Sequence, residues 1–145
     1  MGDLSKDIKS KFENNKVKAL LNIMYTANWI KSHQNDFFKT YGISPQQFNV
    51  LRILRGSNKA LKVQTIKERM IERSPNATRL MDKLCNKNLI QRIACPEDRR
   101  VVHIEITNEG LLLLDDISKN LKKDLLDKLT DAEAKQLSDL LDKIR

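Results

Sequence analysis

Between Arg92 and His103 the chain reads "RIACPEDRRVVH", which sets a thiol, two carboxylates, an adjacent pair of arginines and an imidazole within a few residues. Two chemistries could use such a set. Cys95 could serve as a nucleophile with His103 as its base and Asp98 as orienter, as in thiol-dependent acyl transfer. No glycine-rich loop or oxyanion site accompanies them, and a hairpin register pairing Cys95 with Arg100 puts His103 on the face opposite Cys95. The second chemistry is contact with a polyanion. Arg99 and Arg100 stand at the tip between two β-branched runs, where guanidinium groups stabilise nothing within the chain itself. Guanidinium sheds water more readily than ammonium and suits insertion into a narrow, strongly negative groove. Asp98, two residues before Arg100, is placed to brace it.

A second set lies upstream in "ERSPNATRLMDKL". Ser74-Pro75 reads as an N-cap followed by proline at the first helical position. Ala77, Leu80, Met81, Leu84 and Cys85 then fall on one apolar stripe, while Asn76, Arg79, Asp82, Lys83 and Asn86 face away. In the first turn and a half, Asn76, Thr78 and Arg79 are the types that bond base edges, Arg to guanine and Asn to adenine. Ser74 and Lys83 suit phosphate contacts, which position without reading sequence. The charge distribution agrees: residues 1–51 carry +3, residues 52–100 carry 13 basic against 5 acidic groups, and residues 101–145 carry −3, for a net charge of +8. So local an excess favours a polyanion bound in one place, with double-stranded DNA the expected partner.

The elements that must position these groups follow from periodicity. Residues 5–40 read as one long helix through Ile8, Phe12, Leu20, Met24, Phe37 and Phe38, closed by Gly42. Ser44-Pro45-Gln46-Gln47 is a capping box opening a helix with Phe48, Leu51 and Leu54 inward. A short helix spans about Val63–Ile71, and Asn88 takes the sharp turn after the Ser74 helix. Leu89–Ala94 and Val101–Ile106 form a hairpin, with Ile93 facing Val102, Gln91 facing Ile104 and Leu89 facing Ile106, and with Val102, Ile104 and Ile106 on one buried face. Thr107 opens a long leucine-rich helix through Leu126, and Thr130-Asp131-Ala132-Glu133 caps the last one. The fold class is mainly α with a small β-wing: a winged helix-turn-helix lobe over 41–106, with dimerisation helices at 1–40 and 107–145. Those terminal helices carry apolar faces too large for the small lobe to cover, which predicts a homodimer.

With 145 residues, the chain suits a single domain. No apolar run spans a membrane, and the polar N-terminus "MGDLSKDIKSKF" reads as neither secretory signal nor transit peptide. Two cysteines make no disulfide framework and fit a reducing cytoplasm. His33 and His103 with two distant cysteines lack metal-ligand spacing, so no metal and no cofactor is expected. Cys85 on the apolar stripe reads as a core residue. Cys95, beside Arg92, Arg99 and Arg100, is the candidate redox thiol. Met24, Tyr25 and Trp29 are candidates to line an effector pocket, against packing in a core or interface.

These motifs resemble the MarR family of bacterial winged-helix transcription regulators. The stretches that carry the likeness are "GISPQQFNVLRIL" (42–54), "ERSPNATRLMDKLCNKNLIQR" (72–92) and "EDRRVVHIEITNEG" (97–110). The most specific feature is Asp98-x-Arg100 followed by Thr107 and Gly110, preceded by Thr78-Arg79. The resemblance implies a homodimer with interleaved terminal helices that binds a pseudo-palindromic operator, commonly as a repressor. It implies Arg100 in the minor groove with Asp98 as its brace, Arg79 at the recognition helix, and release by a small aromatic or lipophilic compound or by cysteine oxidation. Asn88 stands where the family usually has Gly, Lys67 where Ala is common, and His103 where an apolar residue is frequent; the family's sensing cysteine near the first helix is absent. The rival classes are an enzyme and a winged helix used for protein docking.

Overall fold

The computed structural model describes residues 2–73, 75–121 and 125–145. Its elements run α1 (Leu4–Asp7), α2 (Asn15–Lys39), α3 (Pro45–Ser57), β1 (Leu61–Lys62), α4 (Val63–Arg69), α5 (Ala77–Asn86), β2 (Ile90–Ala94), β3 (Val102–Ile106), α6 (Asn108–Asn120) and α7 (Asp131–Ile144). One core joins the elements from the end of α2 to α6, built from Phe38 of α2, Val50, Leu51 and Leu54 of α3, Ile66 of α4, Met81 and Leu84 of α5, Ile90 and Ile104 of the sheet, and Leu114 and Ile117 of α6.

The expected long N-terminal helix is broken in two. Lys9 takes φ +50°, and Asn14 then caps a new helix, its Oδ1 accepting from the Val17 N–H at 3.0 Å. The paired asparagines of "ENN" were the overlooked start signal. The capping box at Ser44 forms as read: Ser44 Oγ accepts from Gln47 N–H at 3.1 Å, and Gln47 Oε1 accepts from Ser44 N–H at 2.9 Å. Its counterpart at Thr130 forms too, and there the Thr130 N–H and hydroxyl hold the Glu133 carboxyl below the usual carboxylate range. Gly42 and Asn88 both adopt positive φ at the turns expected of them. The helix opened by Thr107 stops at Asn120, short of Leu126. There Leu121 leaves the helical region with ψ +58°, and the Asn120 side-chain amide donates back to the Asp116 carbonyl at 3.0 Å.

The sheet differs from the expected hairpin in two ways. It has three strands in the order β1-β3-β2, both pairings antiparallel. The first strand, Leu61–Lys62, is too short to show any periodicity, and buried Leu61 pairs with Ile104. The β2–β3 register is also one residue away from the reading above: Ile90 faces Ile106, Arg92 faces Ile104, and Ile93 faces His103. The turn sets this slip. Cys95 N–H donates to the Val101 carbonyl at 3.0 Å and Val101 N–H to the Asp98 carbonyl at 3.0 Å, so five residues rather than four make the tip. Ile104 is fully buried and Ile106 partly so, but Val102 at the tip end stays 40% exposed.

One close approach holds the sheet to the helices. Thr107 N–H donates to the Leu89 carbonyl at 3.1 Å, its hydroxyl donates to the Asn88 carbonyl at 2.6 Å, and the same hydroxyl caps Gly110 N–H at 3.1 Å. At Gly110 a Cβ would overlap the Leu89 carbonyl oxygen and lie 2.7 Å from Ile106 Cγ1. Gly110→Ala is therefore expected to lower stability by about 1–3 kcal/mol, the usual cost of overpacking. Gly56, in α3, has open space around its Cα. Gly56→Ala is expected to raise stability by about 0.5–1 kcal/mol by removing backbone freedom. Thermal melts of the two variants should move in opposite directions.

Candidate nucleic-acid interface

The interface builds from α5 outward. Ala77, Met81 and Leu84 are buried, which fixes which side of the helix faces the core. Thr78, Arg79, Asp82, Lys83 and Asn86 are exposed. The helix starts later than expected, at Ala77 with Asn76 as N-cap, so Asn76 stands at its entrance and Pro75 before it. Ser74, assigned above to phosphate contact, lies outside the described residues.

The wing carries the second group. Asp98 Oδ1 accepts from the Arg100 N–H at 3.0 Å, an Asx-type closure of the tip, and lies 3.9 Å from Arg100 Nε. The Arg100 side chain is 95% exposed, so the guanidinium stands in solvent with a carboxylate at its base. Arg99 is exposed beside it. An ion pair so open adds little to stability; what it supplies is direction.

Helix and wing are joined by a contact that sequence reasoning missed. The Arg92 guanidinium of β2 donates to the Asp82 carboxylate of α5. This hydrogen bond, with help from the pair's opposite charges, raises the Arg92 pKa further above its already high value. The pairing of Arg92 with Ile104 puts Arg92 on the sheet face turned toward α5. The one-residue register error had hidden that placement. Arg92 is thus committed to Asp82, whereas Arg100 keeps its guanidinium in solvent above Asp98. Cys95 is partly buried at the wing base, and the register brings His103 onto its face rather than away from it. Among the described residues, no group of three or more His, Cys, Asp or Glu could hold a metal ion.

A groove of about 890 Å³ opens between α2, α3 and the end of α6, lined by Ile30, His33, Phe37, Phe48, Arg52 and Leu121 among others. Phe38 and Phe48 meet at 4.4 Å between ring centroids, and the Arg52 guanidinium stands 5.8 Å from the Phe48 ring. Met24, Tyr25 and Trp29 are not among its lining residues. They sit earlier on α2, 56%, 42% and 42% exposed, with Trp29 against His33 at 4.3 Å. The aromatic residues nearer the end of α2 form the groove instead.

The MarR family model matches residues 43–102, the stretch that holds α3, α5 and most of the wing. Across 92% of this chain and 98% of the other, the structure matches that of a MarR transcription factor from Planctomyces limnophilus, with 30% identity and a TM-score of 0.69. The chain belongs to the MarR family. Its three-stranded sheet and helices have the family's winged-helix architecture. A mutant MarR from Escherichia coli, solved complexed with operator DNA, shares the fold over 99% of both chains (24% identity, TM-score 0.75). Among curated relatives of the family, the transcriptional regulator MhqR of Bacillus subtilis is 36% identical over 61% of this chain, and the repressor MdtR of the same organism 42% over 52%. The matched stretches span 60% and 48% of those two proteins. Among the described residues, no helix is long and apolar enough to cross a membrane.

Asp98→Ala tests the wing geometry without any ligand. The Arg100 amide loses its acceptor and should exchange with solvent at least several-fold faster, while global stability falls by no more than about 1 kcal/mol. Amide exchange followed by NMR reads both. A wing whose Arg100 amide is unaffected would show that Asp98 does not hold the tip.

Proposed function

We propose that this chain is a DNA-binding transcription regulator that acts as a homodimer on a pseudo-palindromic operator, most simply as a repressor. One observation carries the reading. The outward face of α5 and the solvent-borne Arg100 belong to a single lobe, joined by the Asp82–Arg92 pair and by the Thr107 contacts. A helix and a finger so linked address neighbouring grooves of one duplex. In this reading Asn76, Thr78 and Arg79 meet base edges in the major groove, Ser74 and Lys83 hold phosphates, and Arg100 enters the minor groove with Arg99 on the backbone beside it. The relative solved with operator DNA supports the assignment.

The unburied apolar surface supports the dimer. No residue of α7 is buried, and Leu137, Leu140 and Ile144 are 42%, 54% and 69% exposed. Leu20, Ile23 and Met24 stand similarly open on α2. A second copy covering both helices would remove this surface from water, and the lobe at 41–106 would be presented twice. The groove lined by Phe37, Phe48 and Arg52 is suited to a small aromatic or lipophilic effector. Cys95 as a redox trigger is the alternative, with its partial exposure beside the arginine-bearing tip in its favour.

Fragments selected from random DNA supply the test. Arg100→Ala should weaken binding to the selected site at least tenfold, with dimer and fold unchanged. Arg79→Ala should cost about 1–3 kcal/mol per half-site on the selected fragment and far less on random DNA. Log affinity should fall with log salt at roughly −0.9 per neutralised phosphate. A salt-insensitive association would instead mark the lobe as a protein-docking module.

A further inference from the structure

The turn that leads into α5 is held in an unusual way. Met70 before it is 5% exposed and Ala77 after it is fully buried, so the core grips the chain on both sides. Between them Ile71 is 90% exposed and contributes no burial. Polar contacts from two other helices act here instead. The Ile71 N–H donates to Asn49 Oδ1 of α3 at 2.9 Å. The next residue, Glu72, uses both carboxylate oxygens: Oε1 accepts from Lys31 Nζ of α2 at 3.4 Å, and Oε2 from Gln46 Nε2 of α3 at 2.9 Å. Two successive residues of the turn are thus tied to partners 22, 26 and 41 positions away.

The charge of Glu72 makes this placement informative. It is one of only 5 acids among 13 bases in residues 52–100, and it sits next to Arg73 and ahead of Arg79. A carboxylate there repels phosphate and weakens any charge-driven attachment to DNA. Whatever it adds to recognition must come through geometry. Its pair with Lys31 is about half exposed on both sides, too open to matter much for folding. A base-reading helix, however, works only when its first turn is held to within about half an ångström of the productive position.

We infer that Glu72 is a positioning residue, which with Lys31 and Asn49 fixes the entrance of the recognition helix against α2 and α3 and so sharpens DNA discrimination at the expense of raw affinity. The inference rests on the DNA-binding reading above. It also makes α2 a physical neighbour of the reading head: Lys31 holds Glu72, and the preceding Ile30 lines the groove against Phe37.

The test uses the 145-residue chain with three variants, Glu72→Ala, Glu72→Gln and Lys31→Ala. In the free protein, Glu72→Ala should speed amide exchange of Ile71 and Leu80, whose N–H groups donate to Asn49 and to the Asn76 carbonyl, several-fold, leaving Leu84 and Ile104 at wild-type rates. On DNA, the ratio of selected-site to random-fragment affinity should fall about three- to tenfold in Glu72→Ala, the scale of one or two polar contacts. Random-fragment affinity should hold steady or rise as a negative charge leaves. Glu72→Gln, which keeps the Gln46 contact, should fall between the two. Lys31→Ala, on α2 and outside the recognition helix itself, should lower the same ratio, and adding it to Glu72→Ala should cost little more. Unchanged exchange at Ile71 and Leu80 overturns the inference whatever DNA does. Faster exchange with an unaltered affinity ratio overturns it too, while Arg79→Ala and Arg100→Ala would still report on the DNA reading. A wild-type chain that binds selected and random fragments alike defeats the DNA reading itself, and the positioning role with it.

Discussion

The wing and α5 stay in register because two turns approach each other too closely for any side chain to come between. Gly110 sits against the Leu89 carbonyl, and Thr107 holds Asn88 and Leu89 through its hydroxyl and its amide. One turn ends α5; the other begins α6. Between them, β3 runs from the wing tip to Thr107 and pairs on one edge with β1 and on the other with β2. Fixing that crossing fixes the plane of the sheet relative to the axis of α5. Asn88 contributes by taking φ +57° without glycine's backbone freedom, which holds the exit of the helix to one path.

On this frame three of the five acids within the basic segment meet partners that place a neighbour. Asp82 holds Arg92, Asp98 faces Arg100 and closes the tip, and Glu72 bridges Lys31 and Gln46. None of these contacts is buried enough to count heavily toward stability. Each one limits where a flexible neighbour can go. Arg92 is spent inside the lobe, whereas Arg100 keeps its guanidinium in solvent, so two arginines of one hairpin take different roles through the carboxylate each one meets.

The terminal helices answer to a different demand. α2 contributes Phe38 to the core through its last turns and leaves its middle open, and α7 buries nothing. Large apolar exposure sustained over two helices is more than a soluble monomer ordinarily carries. The groove between α2, α3 and the end of α6 is a separate opening, lined by Phe37, Phe48 and Arg52 among others.

The helix starts at Ser44, Thr107 and Thr130, the apolar stripe of α5 and the two positive-φ turns could be read from the chain because each depends on residues a few positions apart. Ser44 with Gln47, Thr130 with Glu133, and Ala77 with Met81 and Leu84 are local relations that sequence states outright. The basic middle third and the Asp98-x-Arg100 tip were legible for the same reason. Three things were not. The strand at Leu61 is two residues long and exists only because β3 offers an edge. The register depended on how Asp98 closes the tip, and a shift of one residue carried Arg92 to the α5 side and His103 to that of Cys95. The hold of Lys31 and Gln46 on Glu72 joins residues 41 and 26 positions apart, and no periodicity records a contact across such a distance. Local geometry belonged to the sequence; which distant carboxylate meets which cation was decided only when the helices packed.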